Sequence, residues 1–285
     1  MHLTVRRPPA TKISAVVSDI DGTLVTDDKV LTDRSQAAVA ALGEAGIAFT
    51  VISSRPPRGA AGLVKRLGIA LPSGCFNGGV IVGPDSSPIQ AHLISPDVAR
   101  RSVDLITSHG AAVWLFSGQD WFLHDPLGDY VELERRTVGF PPVVIADFGS
   151  LLDSAAKIVG VSADPGLLER CEAGVRTALA EAATVVRSQA YYLDITDRSA
   201  NKGTGVLALS KLMSIPMTEI AVIGDGDNDV AMFELAGLSI AIGNGKSAAK
   251  AAADFLTDGN GEDGFAKAID RFILGGDRTV SRVAS

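Results

Sequence analysis

Ser18-Asp19-Ile20-Asp21-Gly22-Thr23-Leu24-Val25 follows an apolar run at 13–17, so Asp19 and Asp21 stand at the end of a short strand. Open parallel sheets bind ligands beyond the carboxyl ends of their strands. Carboxylates at alternate positions there can supply one nucleophile and one acid/base group. Taken alone, residues 19–24 read equally well as a strand followed by an Asp-Gly turn. The rest of the chain decides between the two.

Two further apolar stretches end in polar groups. Residues 47–52 lead to Ser53-Ser54-Arg55-Pro56-Pro57, and residues 219–223 lead to Gly224-Asp225-Gly226-Asp227-Asn228-Asp229. Between them, Thr32 can cap a helix whose apolar face runs through Val39 and Leu42 and which stops at Gly46. A helix over about 58–67 stops at Gly68, and a strand near Cys75 leads to Asn77-Gly78-Gly79 and a strand at 80–82. Asn77-Gly78 reads most simply as a hairpin turn. Later in the chain, Lys202 opens a helix to about 213, and a helix after Asp229 runs to Ala236. Strands at 238–242 and 255–256 alternate with helices from 246 and over 264–274. This alternation predicts an α/β fold with a Rossmann-like, three-layer parallel-sheet core.

Both tryptophans, all three tyrosines and His92, His109 and His124 lie between residues 83 and 195. Ser95-Pro96 opens a helix ending near 110, residues 112–116 and 121–124 alternate like a hairpin, and 157–161 form a strand. A helix from Pro165 and a hairpin of 185–188 with 191–195 complete an α+β module with an antiparallel sheet. The β/α alternation resumes afterwards. The reading is therefore a core of residues 1–83 and 199–285, split by an inserted cap at 84–198, with hinges near 83–88 and 196–200.

With 285 residues, 46% of them hydrophobic, the chain can bury a large core and is long enough for two domains. Its 26 basic and 33 acidic residues leave a net charge of -7 with no like-sign block, which argues against nucleic-acid binding. Residues 1–10 carry two arginines without an apolar stretch behind them, so no secretory signal is expected. No run approaches a membrane span. Cys75 and Cys171 are far apart, without partners at metal spacing, and a reducing cytoplasm fits best.

Three strand ends thus bring Asp19, Asp21, Ser53, Asp225 and Asp229 to one sheet edge, with Lys202 opening a helix nearby. In order and kind these groups resemble the four motifs of the haloacid dehalogenase-like superfamily of phosphoryl-transfer enzymes. Those motifs are Asp-x-Asp, a Ser or Thr after the second strand, a Lys, and Gly-Asp-x-x-Asn-Asp. Asp19, Asp21, Asp225, Asp227 and Asp229 in one cleft would repel one another without a cation, and oxygen ligands favour a hard ion such as Mg2+.

The resemblance implies that Asp19, the Asp21 backbone carbonyl and Asp225 hold Mg2+, with Asp229 acting through water or as an orienting group. It also implies that Asp19 is the nucleophile and Asp21 the general acid/base, while Ser53 and Lys202 hold the phosphoryl oxygens. Ser54, Arg55, Asn77 and Asn228 are the other candidate phosphate contacts, and Asp227 reads as a solvated loop charge. Two rival motifs fail on spacing. An EF-hand loop from Asp225 lacks its Gly at Val230 and its Glu at Ala236, and a P-loop ending at Gly245-Lys246-Ser247 lacks its first Gly at Ile240.

The insertion between the second and third motifs, Asn77-Gly78-Gly79, residues 241–245 and Asp263-Gly264 resemble the Cof-type subclass (IIB). Ser53-Ser54-Arg55 departs from its usual Thr-Gly-Arg, and Gly245 stands where Ala is commoner. The resemblance implies a phosphatase acting on a small phosphate ester, first a sugar phosphate, with the cap setting the choice. Arg187, Ser188 and Tyr191 are the cap candidates, although tyrosine packing and a solvated arginine are the simpler readings. A phosphomutase, or a phosphate-binding protein without turnover, remains the alternative. The oligomeric state is not legible in the sequence.

Overall fold

The structure of the protein is a computed structural model, which describes residues 12–275. The N-terminal stretch read as lacking a signal, and the outer ends of the predicted core segments, lie outside the described residues. The described residues form two compact units. One holds those up to Ser53, Leu63–Gly74 and those from Lys202 onward, and the other holds Ser54–Gly62 and Cys75–Asn201.

The first unit is built on a five-stranded sheet in the order Phe255–Leu256, Leu238–Ala241, Ile220–Gly224, Ala15–Ser18, Ala48–Val51. Every pairing is parallel. Ala15–Ser18, Ile220–Gly224 and Leu238–Ala241 are buried throughout, which explains their continuous apolar runs, since a parallel sheet covered on both faces has no wet side. Helix Asp33–Glu44 starts where Thr32 accepts from the Ser35 N–H, and it buries Ala38, Val39 and Leu42. It packs with Gly264–Ala268, and Phe265 meets Phe49 edge to face at 5.8 Å. Lys202–Met213, Val230–Phe233 and Ser247–Ala252 form a second helical group.

Two helices depart from the sequence reading. After Asp229 the helix is short, a tight turn at Asp227–Asp229 followed by Val230–Phe233, because the Asp229 carboxylate holds the loop's own backbone. The last helix widens over Ile269–Leu274, where the Gly275 N–H reaches back to the Asp270 carbonyl at 2.8 Å.

In the second unit a six-stranded sheet runs in the order Thr184–Gln189, Tyr192–Thr196, Ala155–Val161, Ala112–Ser117, Asp120–Leu123, Val143–Val144. All pairs but the last are antiparallel. Helices Pro96–Ser108 and Pro165–Leu179 cover one face, where Val113, Leu115, Ile158, Leu193 and Ile195 join Ile106 and Val175 in a core. Trp114, Phe116, Trp121 and Tyr192 contact one another on the alternate positions.

Three features here differ from the sequence reading. Asn77-Gly78 is not a hairpin turn but part of a tight helical turn, Phe76–Gly78, with Asn77 left-handed at φ 57. Residues 83–88, read as a hinge, form the hydrogen-bonded turn of a hairpin between Val80–Val82 and Pro88–Ala91, with the Gly83 N–H on the Ser87 carbonyl at 2.8 Å. Helix Val131–Val138 was not foreseen. It begins at a left-handed Tyr130 without a side-chain cap, so the usual start signal is missing.

Candidate active site

The parallel registers Ser18↔Val51 and Ser18↔Ile223 place Asp19, Ile52 and Gly224 abreast, with Ser53 and Asp225 one step further on. The Asp19 N–H donates to the Ile223 carbonyl at 2.9 Å, and the Ile52 N–H to the Ser18 carbonyl at 2.9 Å. The strand ends are thus locked to one another, and their side chains project beyond the sheet.

Lys202, in the first turn of its helix, is completely buried and bridges two carboxylates, with Nζ 2.6 Å from Asp19 Oδ1 and 2.6 Å from Asp229 Oδ1. The second oxygen of Asp229 accepts from the backbone N–H groups of Asp225 at 2.9 Å and Gly226 at 2.7 Å. Gly224 is required for this packing, because a Cβ there would lie 2.3 Å from the Asp229 Cγ. Asp225 Oδ1 accepts from the Thr23 hydroxyl at 3.0 Å. Lys29 lies 2.9 Å from Asp21 Oδ1 and orients that carboxylate.

The loop after the first strand is anchored from the far end of the chain. The Asn244 side chain donates to the Gly22 carbonyl at 2.9 Å, and that of Asn260 to the Val25 carbonyl at 3.0 Å and to Asp27 at 3.0 Å. Asn244 Oδ1 in turn accepts from the Asn260 N–H at 2.8 Å. These anchors, with Thr23 and Lys29, were not assigned roles from sequence. Their partners lie as many as 235 positions away, which no local pattern reports.

Burial pushes the Asp19 carboxyl well above its ordinary range; Lys202 opposes this, and Asp229 and Asp225 add to it. Asp225 is raised as well, by burial first and then by Asp229. Burial by itself would lower the Lys202 ammonium, but Asp19 and Asp229 outweigh it and hold the group charged. Asp19, Asp225 and Asp229 each offer an oxygen within 4.8 Å of the others. Ionised, these three carboxylates against one ammonium leave a local charge of -2. A divalent cation fits that deficit and that all-oxygen donor set. Asp229, with both oxygens already engaged, suits an orienting part, whereas Asp19 and Asp225 suit direct ligation.

The structure places the remaining candidates as follows. Ser53 is completely buried, and its N–H donates to the Gly74 carbonyl at 3.0 Å. Asn228 and Asp227 are exposed, and Asp227 pairs with Lys246 at 3.1 Å. Asp19, Asp21, Ser53, Lys202, Asp225, Asn228 and Asp229 all belong to the first unit. Ser54, Arg55, Asn77, Arg187, Ser188 and Tyr191 belong to the second. There Arg187 donates to the backbone carbonyls of Ala190 and Pro165, Tyr191 stacks on Tyr130 at 4.1 Å, and Ser188 is exposed.

A family model of haloacid dehalogenase-like hydrolases matches residues 16–269. A solved haloacid dehalogenase-like hydrolase from Bacteroides thetaiotaomicron superposes with a TM-score of 0.84 at 28% identity, covering 92% of this chain and 100% of that one. A second structure, the subclass IIB sugar phosphatase BT4131, shares the fold at a TM-score of 0.76 and 21% identity, over 92% of this chain and 99% of that one. The Bacillus subtilis 5-amino-6-(5-phospho-D-ribitylamino)uracil phosphatase YitU is 26% identical over 92% of this chain and 98% of its own length. The chain belongs to the haloacid dehalogenase-like hydrolase family, in its Cof-type branch, and is a phosphoric monoester hydrolase. Among the described residues, no helix is long and apolar enough to cross a membrane.

Proposed function

We propose that this enzyme is a Mg2+-dependent phosphatase that hydrolyses a small phosphomonoester, first a sugar phosphate, through an aspartyl-phosphate on Asp19. The observation that carries this reading is the buried bridge of Lys202 between Asp19 and Asp229. It fixes one Asp19 oxygen, and with it the carboxylate from which the attack would come. Asp19, the Asp21 carbonyl and Asp225 would hold Mg2+, which when bound offsets the negative charge of the phosphoryl oxygens.

The Asp19 oxygen attacks phosphorus while the bond from phosphorus to the alcohol oxygen breaks, and Asp21 gives its proton to that oxygen. Asp21 then takes a proton from water, which attacks the aspartyl-phosphate, releases phosphate and restores the Asp19 carboxylate. Lys202 and Ser53 hold the phosphoryl oxygens throughout, in a reaction whose catalysis is largely positioning and electrostatics. Ser54, Arg55, Asn77 and Asn228 complete the phosphate contacts. Residues 1–83 and 199–285 act as the catalytic core, and residues 84–198 as a cap that selects the alcohol, with Arg187, Ser188 and Tyr191 as its hairpin candidates. The substrate is a free small molecule rather than nucleic acid. Two free, buried cysteines fit a reducing cytoplasm.

A second substrate reading is a phosphorylated polyol carried on a ring. Phosphatases of that description from Bacillus subtilis and Escherichia coli are among the similar proteins, at 26% and 24% identity.

The test is phosphate release from sugar phosphates, sugar-acid phosphates, phosphoribitylamino-uracil, pyridoxal phosphate and nucleotides, with Mg2+ and with chelator. Asp19→Asn serves as the blank. Turnover that needs Mg2+ and falls on the order of 10^4-fold or more in Asp19→Asn supports the proposal. Undiminished turnover in that variant overturns it. Isomerisation primed by a bisphosphate, without net release, would make the enzyme a mutase.

A further inference from the structure

Lys29 stands in the left-handed region at φ 62, a conformation that glycine or asparagine adopts at lower cost than a residue with a long side chain. A closed turn fixes it there. The Thr26 N–H donates to the Val30 carbonyl at 3.0 Å, the Lys29 N–H to the Thr26 carbonyl at 2.9 Å, and the Val30 N–H to the Thr26 hydroxyl at 3.2 Å. Asn260, itself buried, holds the two residues flanking Thr26, through the Val25 carbonyl and the Asp27 carboxylate, each at 3.0 Å. All of these residues belong to the first unit.

A residue held in a costly backbone conformation is a reason to look for a function. Here that backbone carries the only cationic side chain of the turn to Asp21, with Nζ 2.9 Å from Asp21 Oδ1. The lysine side chain is 43% exposed and the aspartate 24%, and an ion pair so open to water adds little stability. Neither the turn nor stability calls for a lysine at this position. The direction of the Asp21 carboxylate does.

We propose that Lys29, set by the Thr26–Val30 turn and the Asn260 clasp, is a positioning residue that aims Asp21 at the leaving alcohol oxygen and so decides how well poor leaving groups are expelled. The assignment rests on the reading above that Asp21 is the general acid. As the bond from phosphorus to that oxygen breaks, the Asp21 proton passes to it. Proton delivery matters most where the departing alkoxide is strongly basic, and least where, as with 4-nitrophenolate, the group leaves readily as an anion. Misdirection of Asp21 therefore shows as a selective loss on alkyl esters.

The experiment measures kcat/KM, which ends with departure of the alcohol, for 4-nitrophenyl phosphate, phenyl phosphate and glycerol 3-phosphate with Mg2+. Each variant is expressed as a ratio to the parent, so that the parent's own substrate preference cancels. Lys29→Met and Lys29→Gly should lower the glycerol 3-phosphate value about 10- to 100-fold and the 4-nitrophenyl phosphate value by less than about 3-fold, with phenyl phosphate between. Lys29→Arg should restore most of the loss. Lys29→Gly, which suits the left-handed backbone, should unfold at a midpoint no lower than that of Lys29→Met, which separates positioning from stability. In the double variant with Asn260→Ala, the glycerol 3-phosphate loss should be smaller than the product of the two single losses, because both act on one carboxylate. Should Asn260→Ala not fold, the exposed Lys29 variants decide alone.

An equal loss across the three esters, no loss on any, or no rescue by arginine would overturn the assignment. Asp21→Asn separates it from the reading beneath it. A leaving-group-dependent loss in Asp21→Asn but not in Lys29→Met would reject Lys29 and keep the acid, whereas an equal loss on all three esters in Asp21→Asn would reject both.

Discussion

Gly22 and Asp225 lie so close that a Cβ on Gly22 would stand 2.5 Å from Asp225 Oδ2. Gly22 also has φ +78, a conformation costly to a residue with a side chain. Gly22→Ala should therefore displace Asp225, lower stability by about 1–3 kcal/mol and weaken Mg2+ binding. Denaturant unfolding, and Mg2+ titration of turnover, would measure the two effects. Unchanged Mg2+ dependence would separate this glycine from the carboxylate.

Lys202 is the only positive group described as bridging Asp19 and Asp229, and it is wholly buried with them. Lys202→Met should cost about 3–5 kcal/mol, because it leaves two carboxylates buried without compensation. The loss should be smaller with saturating Mg2+ than with chelator, since binding to the folded state restores stability. Thermal unfolding under both conditions is the measurement. A variant as stable as the parent in chelator would contradict the charge accounting.

Burial pushes the Cys75 thiol up from 9.0 to about 12, and the Cys171 thiol to about 11. The folded state keeps these thiols neutral, so their contribution is fully present below pH 9 and is lost as pH rises from about 9 to 12. Native protein at pH 8 should leave both unmodified by iodoacetamide, and the stability of Cys75→Ala should fall less steeply than that of the parent above pH 9. Rapid alkylation of the folded parent at pH 8 would refute the burial argument.

The parallel sheet of the first unit was legible because parallel strands leave their mark as apolar runs that end abruptly in polar residues. Asp19, Asp225 and Asp229 could be gathered to one edge from that pattern alone, and Lys202 joined them through the resemblance. What holds them was hidden. Thr23 and Asp225 are 202 positions apart, and Asn244 and Gly22 are 222 apart, so their pairing exists only once the sheet has formed. The antiparallel sheet of the second unit was read in outline, since its hairpins alternate clearly. Asp194 was passed over for a physical reason: between Leu193 and Ile195 a charged residue looks like an outward, solvated strand position, yet here it is buried. Alternation identifies the face on which a side chain lies, but not whether that face is wet.

Asn260 fastens its side chain to the Val25 carbonyl and to Asp27, across 235 and 233 positions of chain. During synthesis the first catalytic motif therefore leaves the ribosome long before the residue that steadies it. Domains fold as units, and N-terminal segments appear first, at about 5–20 residues per second. Until residue 202 has emerged, Asp19 and Asp21 are present without Lys202 or Asp225, and the asparagine clasp follows later still. On the proposed mechanism a nascent chain therefore carries Asp19 before it can act on a phosphate ester, and competence waits until the stretch from Lys202 to Asn260 has emerged.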